Sequence, residues 1–562
     1  MVSTLLNASE LLQLIQLKEH DSDQDAAFDL LGDAIVDRLP LKRDPHELDI
    51  LIVTSDIKDS LDEVGELNTA RGKAIRGRET SVHTVNRILP SPSGGVHSFS
   101  AIKALFQSNG DHFHAGRPDG NYGPPVALFN PVLGLLAYRL SHLDDNLPEI
   151  RPDHHESKLV HEFISRSLNC YDGEDQRQIA VQSFVPWLDP DNVEWKRRIN
   201  NITPDWVFGA ATGFPYGIEE DQNEVGLGGD ASTQARLSYT KITKRIRKRS
   251  NCPAVVIGLM GDMVEIGITS YIDGPYSDYV FSSGRMRLGF HQNEQVFRIA
   301  RAFKAVKLAF ADLRRFYLEL DTNPPPNMSI QHLFPSPVPE PSWQGHMPSI
   351  TFTYRMSCIG ELFIVATTAD QRRSGIYVGT MLKVNPTLDA AEQCLEVLVK
   401  FTAADNDSAH RILADAGLAP TLHTCVPVCG DLKMVVMDRL QGEMAWSIKA
   451  RGEPLPPTLY EDVRSAIDLL HCHDLVFGDL RLPNIMYVPS RSAGDFGVES
   501  KLRAMLVDFD WVGKADEARY PAILNDGLGD WAPGADRCAI MRKEHDLYML
   551  EEVRAVCRSI PE

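Results

Sequence analysis

Two side chains five positions apart, Asp479 and Asn484, lie in LLHCHDLVFGDLRLPNIMYV (469–488). They follow a helical pattern and directly precede the apolar run Ile485–Val488. A second carboxylate, Asp508, ends the apolar strand of AMLVDFDW (504–511). Three oxygen-bearing groups on adjacent strand ends suit a magnesium–phosphate site. Mg2+ demands hard oxygen ligands, and a carboxylate must face the proton of the nucleophile. A D-x4-N spacing between helix and strand often arises by chance. Its weight here comes from the upstream helix, Pro483 inside the loop and the downstream strand aspartate.

The elements that must position these groups can be read from periodicity. Between Thr322 and Ile350 lie eight prolines, several of them in FPSPVPEP. Proline fixes φ and removes an amide donor, so the stretch is predicted to be an extended linker rather than helix or inner strand. Before it, helical patterning is expected over Leu5–Leu39, Asn130–Leu143 and Lys158–Leu168. Loops are expected around SPSGG (91–95) and HAGRPDGNYGPP (114–125). The short apolar runs WVFG, YGIEE, AVVIGLMG and MVEIGITSYI, between Trp206 and Ile272, predict strands separated by a helix over Thr233–Arg249. A long amphipathic helix is expected from Asn293 to Leu320. After the prolines, ELFIVATT (361–368), GIYVGTMLKV (375–384), CLEVLVKFTA (394–403) and KMVVMDRL (433–440) predict strands. Helices are expected at Ser408–Ala416 and Leu459–His473. The fold class is therefore α+β.

Composition narrows the function classes. The 562 residues carry 57 Lys and Arg against 77 Asp and Glu, a net charge of -20. That balance argues against a general nucleic-acid coat or a membrane-surface protein. No apolar run is long enough to span a bilayer. The N-terminus lacks a basic start and a cleavage site, so an intracellular location, cytoplasm or nucleus, is expected. The nine cysteines are scattered without a CxxC pair, and Cys425 and Cys429 read as packed thiols rather than zinc ligands.

The spacing around Asp479, Asn484 and Asp508 resembles the catalytic loop and metal-binding motif of protein kinases. HDLVFGDLRLPNI, LVDFDW, RYP and KEHDLYML together look like fungal-type protein kinases and kinase-like proteins, a likeness covering roughly residues 350–562. The resemblance implies ATP and Mg2+ as cofactors, with Asp479 as catalytic base and Asn484 and Asp508 as magnesium ligands. By the same likeness Arg481 would steady the transferred phosphate and Lys400 would neutralise the α- and β-phosphates. His471 and Asp546 would brace the catalytic loop. MVVMDRL, with Met437, Asp438 and Leu440, would form the hinge that meets adenine. The literal tripeptide Asp495-Phe496-Gly497 follows the turn-rich PSRSAG, whereas Asp508 follows the strand AMLV. Asp508 is therefore the expected metal ligand, with 489–502 as an enlarged hairpin loop. The chain departs from the kinase pattern in several places. It has no GxGxxG, the nearest piece being QRRSGIY. No clear glutamate follows Lys400, so Asp407 or His410 must substitute or the lysine is unpaired. Phe477-Gly478 replaces His-Arg, Asp510 replaces the glycine of the DFG motif, and little chain follows Asp546.

A second region, Pro204-Asp205 with IEEDQNEVGLGGDASTQ (218–234) and CPAVVIGLMGDMVEIGI (252–268), is similar to a module of Crinkler-like fungal proteins. For that module a PD-(D/E)xK nuclease-like, restriction-endonuclease-like fold is inferred. The likeness implies Asp205 and Glu220 as metal-holding acids, but Gln222 occupies the lysine position. A neutral amide cannot supply the positive charge such hydrolysis needs. An inactive binding or structural module is expected. The cluster Lys241, Lys244, Arg245, Arg247, Lys248, Arg249 is a candidate nucleic-acid contact.

The sequence thus implies four stretches. Residues 1–150 are helical and loop-rich without an assignable motif, and 151–321 form the α/β domain. Residues 322–350 form the linker, and 351–562 a bilobal kinase-like domain with a shortened C-lobe. The expected activity is an ATP- and Mg2+-dependent phosphotransferase acting on Ser or Thr hydroxyls of a protein substrate, without a membrane partner. The alternative is a pseudokinase scaffold or nucleic-acid-associated effector with both sites degenerate.

Overall fold

The computed structural model describes residues 55–114, 116–117, 120–210, 215–226, 229–243, 250–290, 292–326, 329–383, 393–489, 502–524 and 531–558. Its helices and separate β-sheets make an α+β architecture. The chain divides into two units at Glu79–Thr80. In the first unit the described part is the beginning of α1 (Ser55–Ile88). The helix expected over Leu5–Leu39 lies outside the described residues. No described helix is long and apolar enough to cross a membrane.

The second unit opens on the last turns of α1, whose Val82 and Val85 are buried. Next come α2 (Pro92–Val96) and α3 (Phe99–Ser108). The loop expected around SPSGG is thereby corrected to a short helix. Pro92 presets the helical φ where no amide bond is needed, and Val96 anchors the turn in a cluster with Leu105 and Leu237. Helices α4 (Pro131–Ser141), α5 (His154–Ser167) and α6 (Glu174–Val181) follow. A capping box starts α5: the Asp153 side chain accepts the Glu156 amide and Glu156 reaches back to the Asp153 amide.

The first sheet runs in chain order: β1 (Val193–Trp195), β2 (Trp206–Phe208), β3 (Gly217–Gln222), β4 (Ala254–Met260), β5 (Met263–Tyr271) and β6 (Pro275–Ser282). Only β3 and β4 pair in parallel, and α7 (Ala231–Ile242) makes the crossover between them. Every residue of β4 is buried because both faces are covered. A Cβ on Gly258 would meet Ser232 of α7, while one on Gly217 would meet Phe310 of α8 (Gln292–Thr322). Phe310 is fully buried against Phe208, with ring centroids 4.4 Å apart.

The proline-rich stretch contains extended chain, as its composition requires, and it is held at several points. Ser336 donates its amide to Leu128, Cys429 donates to Val338, and Glu340 donates to Pro427; Leu333 and Phe334 are buried. It leads into a second sheet of β7 (Ile350–Met356), β8 (Leu362–Phe363), β9 (Ile376–Lys383), β10 (Gln393–Thr402), β11 (Leu422–Val428) and β12 (Leu432–Asp438). The strand order is β11-β12-β10-β9-β7-β8. Strand β7 was not legible in TFTYRM, because its buried arginine, Arg355, breaks the apolar pattern. The strand expected over ELFIVATT is corrected to the two-residue β8. Beyond it the Ala366 amide bonds to the Asp273 carboxylate at 2.8 Å, and the chain turns into α9 (Ala369–Arg373) instead of pairing.

The remaining chain is mainly helical. Helix α10 (Asp407–Asp415) lies between β10 and β11. After β12 come β13 (Glu443–Met444), α11 (Ala445–Ala450), α12 (Pro457–Cys472) and β14 (Leu475–Val476). The hairpin β15 (Ile485–Pro489) and β16 (Leu502–Leu506), the short β17 (Gly513–Lys514) and α13 (Lys543–Arg558) complete it. Leu459, Val463, Ile467 and Leu470 of α12 form its core with Leu506 and Leu550. In the hairpin, Ile485 stands opposite Leu506 and Pro489 opposite Leu502. The tripeptide Asp495-Phe496-Gly497 lies outside the described residues.

Burial of Phe310 between β2 and the body of α8 makes it a sensitive packing position. Phe310→Ala is expected to lower the unfolding free energy by about 3–5 kcal/mol, measured by urea denaturation.

Candidate active site

Strand β10 buries Val397, Val399 and Phe401 on one face and carries Lys400 on the other, where its ammonium reaches across to the segment that follows β16. Lys400 Nζ lies 2.7 Å from Asp508 Oδ1 and 2.7 Å from Asp510 Oδ1. Thr402 Oγ1 donates to Asp510 Oδ2 at 2.8 Å. Burial works against the Lys400 charge, but the two carboxylates outweigh it and hold its pKa above the ordinary lysine value. For Asp510 the burial wins over Lys400, and its pKa is raised. Asp508 adopts a left-handed backbone, φ 71°, a strained state for a side-chain-bearing residue that the surrounding contacts must hold in place.

The expectation that Asp407 or His410 would replace a helix glutamate is corrected. His410 of α10 is fully buried, places Nε2 3.0 Å from the Pro420 carbonyl and stacks on Phe509 at 4.3 Å. Burial pushes its pKa down to about 4. The lysine's second partner is Asp510, which sequence reasoning treated only as a departure from DFG. The signal was present as a second acid two positions after Asp508.

The loop carrying Asp479 is fixed by a buried carboxylate from α13. Asp546 accepts the Phe477 amide (2.8 Å) and the Gly478 amide (2.9 Å), and His471 Nε2 lies 3.0 Å from the same group. Gly478 takes φ 79°, a left-handed conformation that favours glycine, and a Cβ there would displace the end of the Met541 side chain. The loop is thus braced through its backbone by the pair, Asp546 and His471, expected from the sequence. Asp479 is buried and pairs through both oxygens with Arg481, whose Nη2 is 2.7 Å from Oδ2. The Arg481 guanidinium lies over the Trp531 ring at 5.0 Å. Asn484 Nδ2 donates to the Asp479 carbonyl at 2.9 Å, and the Val507 amide bonds to the Asn484 carbonyl at 3.0 Å. These bonds tie the Asp479 loop to the Asp508 strand end.

Among the residues expected at the hinge, Met437 is buried within β12. The Asp438 amide is committed to the Thr421 carbonyl, and its side chain lies 2.8 Å from His423 Nε2. Leu440 lies beyond the strand, where the chain leaves the sheet. A cleft of about 350 Å³ opens beside Lys400, Asp508 and Asp510, lined also by Arg373, Gly375 and Tyr122.

Two side-chain oxygens of this region remain uncommitted. Asn484 commits its nitrogen and leaves Oδ1 available, and Asp508 Oδ2 has no partner among the described residues. Both are hard oxygen donors. Among the described residues, no three His, Cys, Asp or Glu side chains gather as a ready-made metal site.

The acids of the first sheet are differently placed. Glu220 Oε1 accepts from the Ser238 hydroxyl (2.6 Å) and Oε2 from Gln234 Nε2 (2.7 Å), and Gln222 Nε2 donates to Gln234 Oε1 at 3.3 Å. Asp205 Oδ2 accepts the Asp221 amide at 2.9 Å. Burial raises the pKa values of Asp205, Glu219, Glu220 and Asp221, with mutual repulsion adding to it. Lys241 is not a free basic contact: its Nζ caps the carbonyls of Asn86 (2.7 Å) and Leu89 (2.9 Å). Residues 244–249 lie outside the described residues.

No protein-family model matches the chain. No curated protein matches it either. Among solved structures, it is similar to the kinase PK-1 of Cydia pomonella granulovirus, with 15% sequence identity and a TM-score of 0.24. The match covers 33% of this chain and 64% of that kinase. At that level the likeness identifies neither a family nor a substrate.

Two expected outcomes follow from the buried anchors. Asp546→Ala leaves two loop amides without acceptors and is expected to cost about 3–5 kcal/mol in urea denaturation. His410 has a folded pKa below its unfolded value, so its contribution is present above pH 6.5 and fades as pH falls toward 4. The stability gap between wild type and His410→Gln should therefore narrow over that window by up to about 3 kcal/mol, measured by denaturation at a series of pH values.

Proposed function

We propose that the C-terminal half is an ATP- and Mg2+-dependent phosphotransferase that delivers phosphate to a Ser or Thr hydroxyl of a protein substrate. The observation that carries this reading is the 2.7 Å contact between Lys400 and Asp508, which stand 108 positions apart in the chain. An amine and an acid brought together at a cleft, with Asn484 and Asp479 on the adjoining loop, are the charges that phosphoryl transfer requires. The likeness of HDLVFGDLRLPNI and LVDFDW to fungal-type protein kinases supports the same reading.

Bound Mg·ATP supplies the γ-phosphoryl group and the cation that neutralises it. Asp508 and Asn484 are the residues to hold that cation, and Lys400 the one to meet the α- and β-phosphates. Asp479 would accept the proton of the attacking hydroxyl. In the structure its carboxylate is paired through both oxygens with the Arg481 guanidinium. As the hydroxyl approaches, Arg481 can exchange part of that contact for the incoming phosphoryl oxygens. Its planar fork serves either anion equally well.

Addition of Mg·ATP is expected to raise the melting temperature, and ATP without magnesium to raise it less, because a ligand of the folded state stabilises by mass action. Asp508→Asn should abolish the magnesium-dependent part. Asp479→Asn should preserve nucleotide binding while lowering transfer of labelled phosphate by about a hundredfold or more. A nucleotide-induced shift with no transfer, unchanged by Asp479→Asn, would instead favour a pseudokinase scaffold.

A further inference from the structure

The stretch between β7 and β9, residues 357–375, lines the cleft with Cys358, Asp370, Arg373, Ser374 and Gly375. It contains no glycine-rich turn, yet two buried charges pin it at separate points. Arg355 of β7 is fully buried; its Nη2 donates to the carbonyls of Gln371 and Arg372, both at 3.1 Å. Its Nη1 donates to Asp273 Oδ2 at 3.0 Å, and the same oxygen accepts the Ala366 amide at 2.8 Å. Asp273 belongs to the other sheet, in the turn between β5 and β6, where the Tyr276 hydroxyl also donates to it. One carboxylate therefore fixes the chain before α9 directly and the end of α9 through Arg355.

The residue next after this clamp is Arg373. Among the described residues no buried acid holds its guanidinium. Nη2 pairs with Asp370 at 2.5 Å, but 73% of the Asp370 side chain is exposed, and such a surface pair contributes little. Arg373 lies 5.9 Å from the Tyr122 ring, which lines the same cleft. An arginine poised beside Lys400, and tethered only to a solvated carboxylate, is available to a polyanion.

We propose that Arg373, positioned by the Asp273–Arg355 clamp, binds the triphosphate of the nucleotide, so that the first sheet supplies part of the nucleotide site. This rests on the phosphotransferase reading above. Arg373 acts by direct contact, whereas Asp273 and Arg355 are positioning residues.

Calorimetric titration of the full chain with Mg·ATP and, separately, adenosine tests it. Arg373→Ala should weaken Mg·ATP by about tenfold or more and leave adenosine within about twofold. Asp370→Asn removes the competing carboxylate and should tighten Mg·ATP by about two- to threefold with adenosine unchanged. Asp273→Asn, which keeps the side-chain shape, should weaken Mg·ATP more than adenosine, a split that general loosening of the fold would not produce. Unchanged Mg·ATP affinity in Arg373→Ala, in a protein whose wild type binds and whose Asp508→Asn variant does not, overturns this inference and leaves the phosphotransferase reading standing. Equal losses for both ligands in Asp273→Asn overturn the clamp. Absence of Mg·ATP binding by the wild type overturns both the inference and the reading.

Discussion

One ammonium shared by two carboxylates joins the β-rich and helical parts of the C-terminal half. Lys400 lies near the end of β10, and Asp508 and Asp510 follow β16; all three line the cleft. Three charges this close are costly to bury unless each is compensated. The compensation is local: the lysine answers both acids, and Thr402 satisfies the second oxygen of Asp510. Because the cleft is defined by this junction, any group that binds there must compete with or complete it.

Two further buried carboxylates extend the same logic. Asp546 organises the Asp479 loop through backbone amides, and Asp273 organises the cleft-lining segment through a backbone amide and Arg355. The bracing of the Asp479 loop by Asp546 was expected from the sequence, whereas the pinning of the cleft-lining chain from a neighbouring sheet was not. Charge used in this way specifies geometry, since a buried carboxylate tolerates few alternative arrangements of its donors.

The legible part of the fold was its periodic part. β4, β9, β10 and α12 lie close to where their apolar patterns put them, because they bury whole faces and so carry an unbroken signal. The missed elements were those whose stability comes from long-range partners. Arg355 in β7 looks like a surface residue until Asp273 is beside it. The run ELFIVATT looks like a strand until its amide at Ala366 finds a carboxylate in preference to a neighbouring strand. At the site, the order and identity of Asp479, Asn484 and Asp508 could be read directly. The role of Asp510 could not, since a lysine's partner is decided by which acid reaches it.

By itself, the sequence determined which chemical groups were present and in what order. It offered hard oxygen donors, an amine at a strand end, and strands long and apolar enough to present them. Tertiary structure alone decided the long-range pairings: Lys400 with two acids, and Asp273 with Arg355. The reason is physical. Apolar periodicity is set by residues three or four apart on a helix and two apart on a strand, so it is written locally. An ion pair depends on distance in space and on the exclusion of water, and neither is fixed until distant segments have packed together.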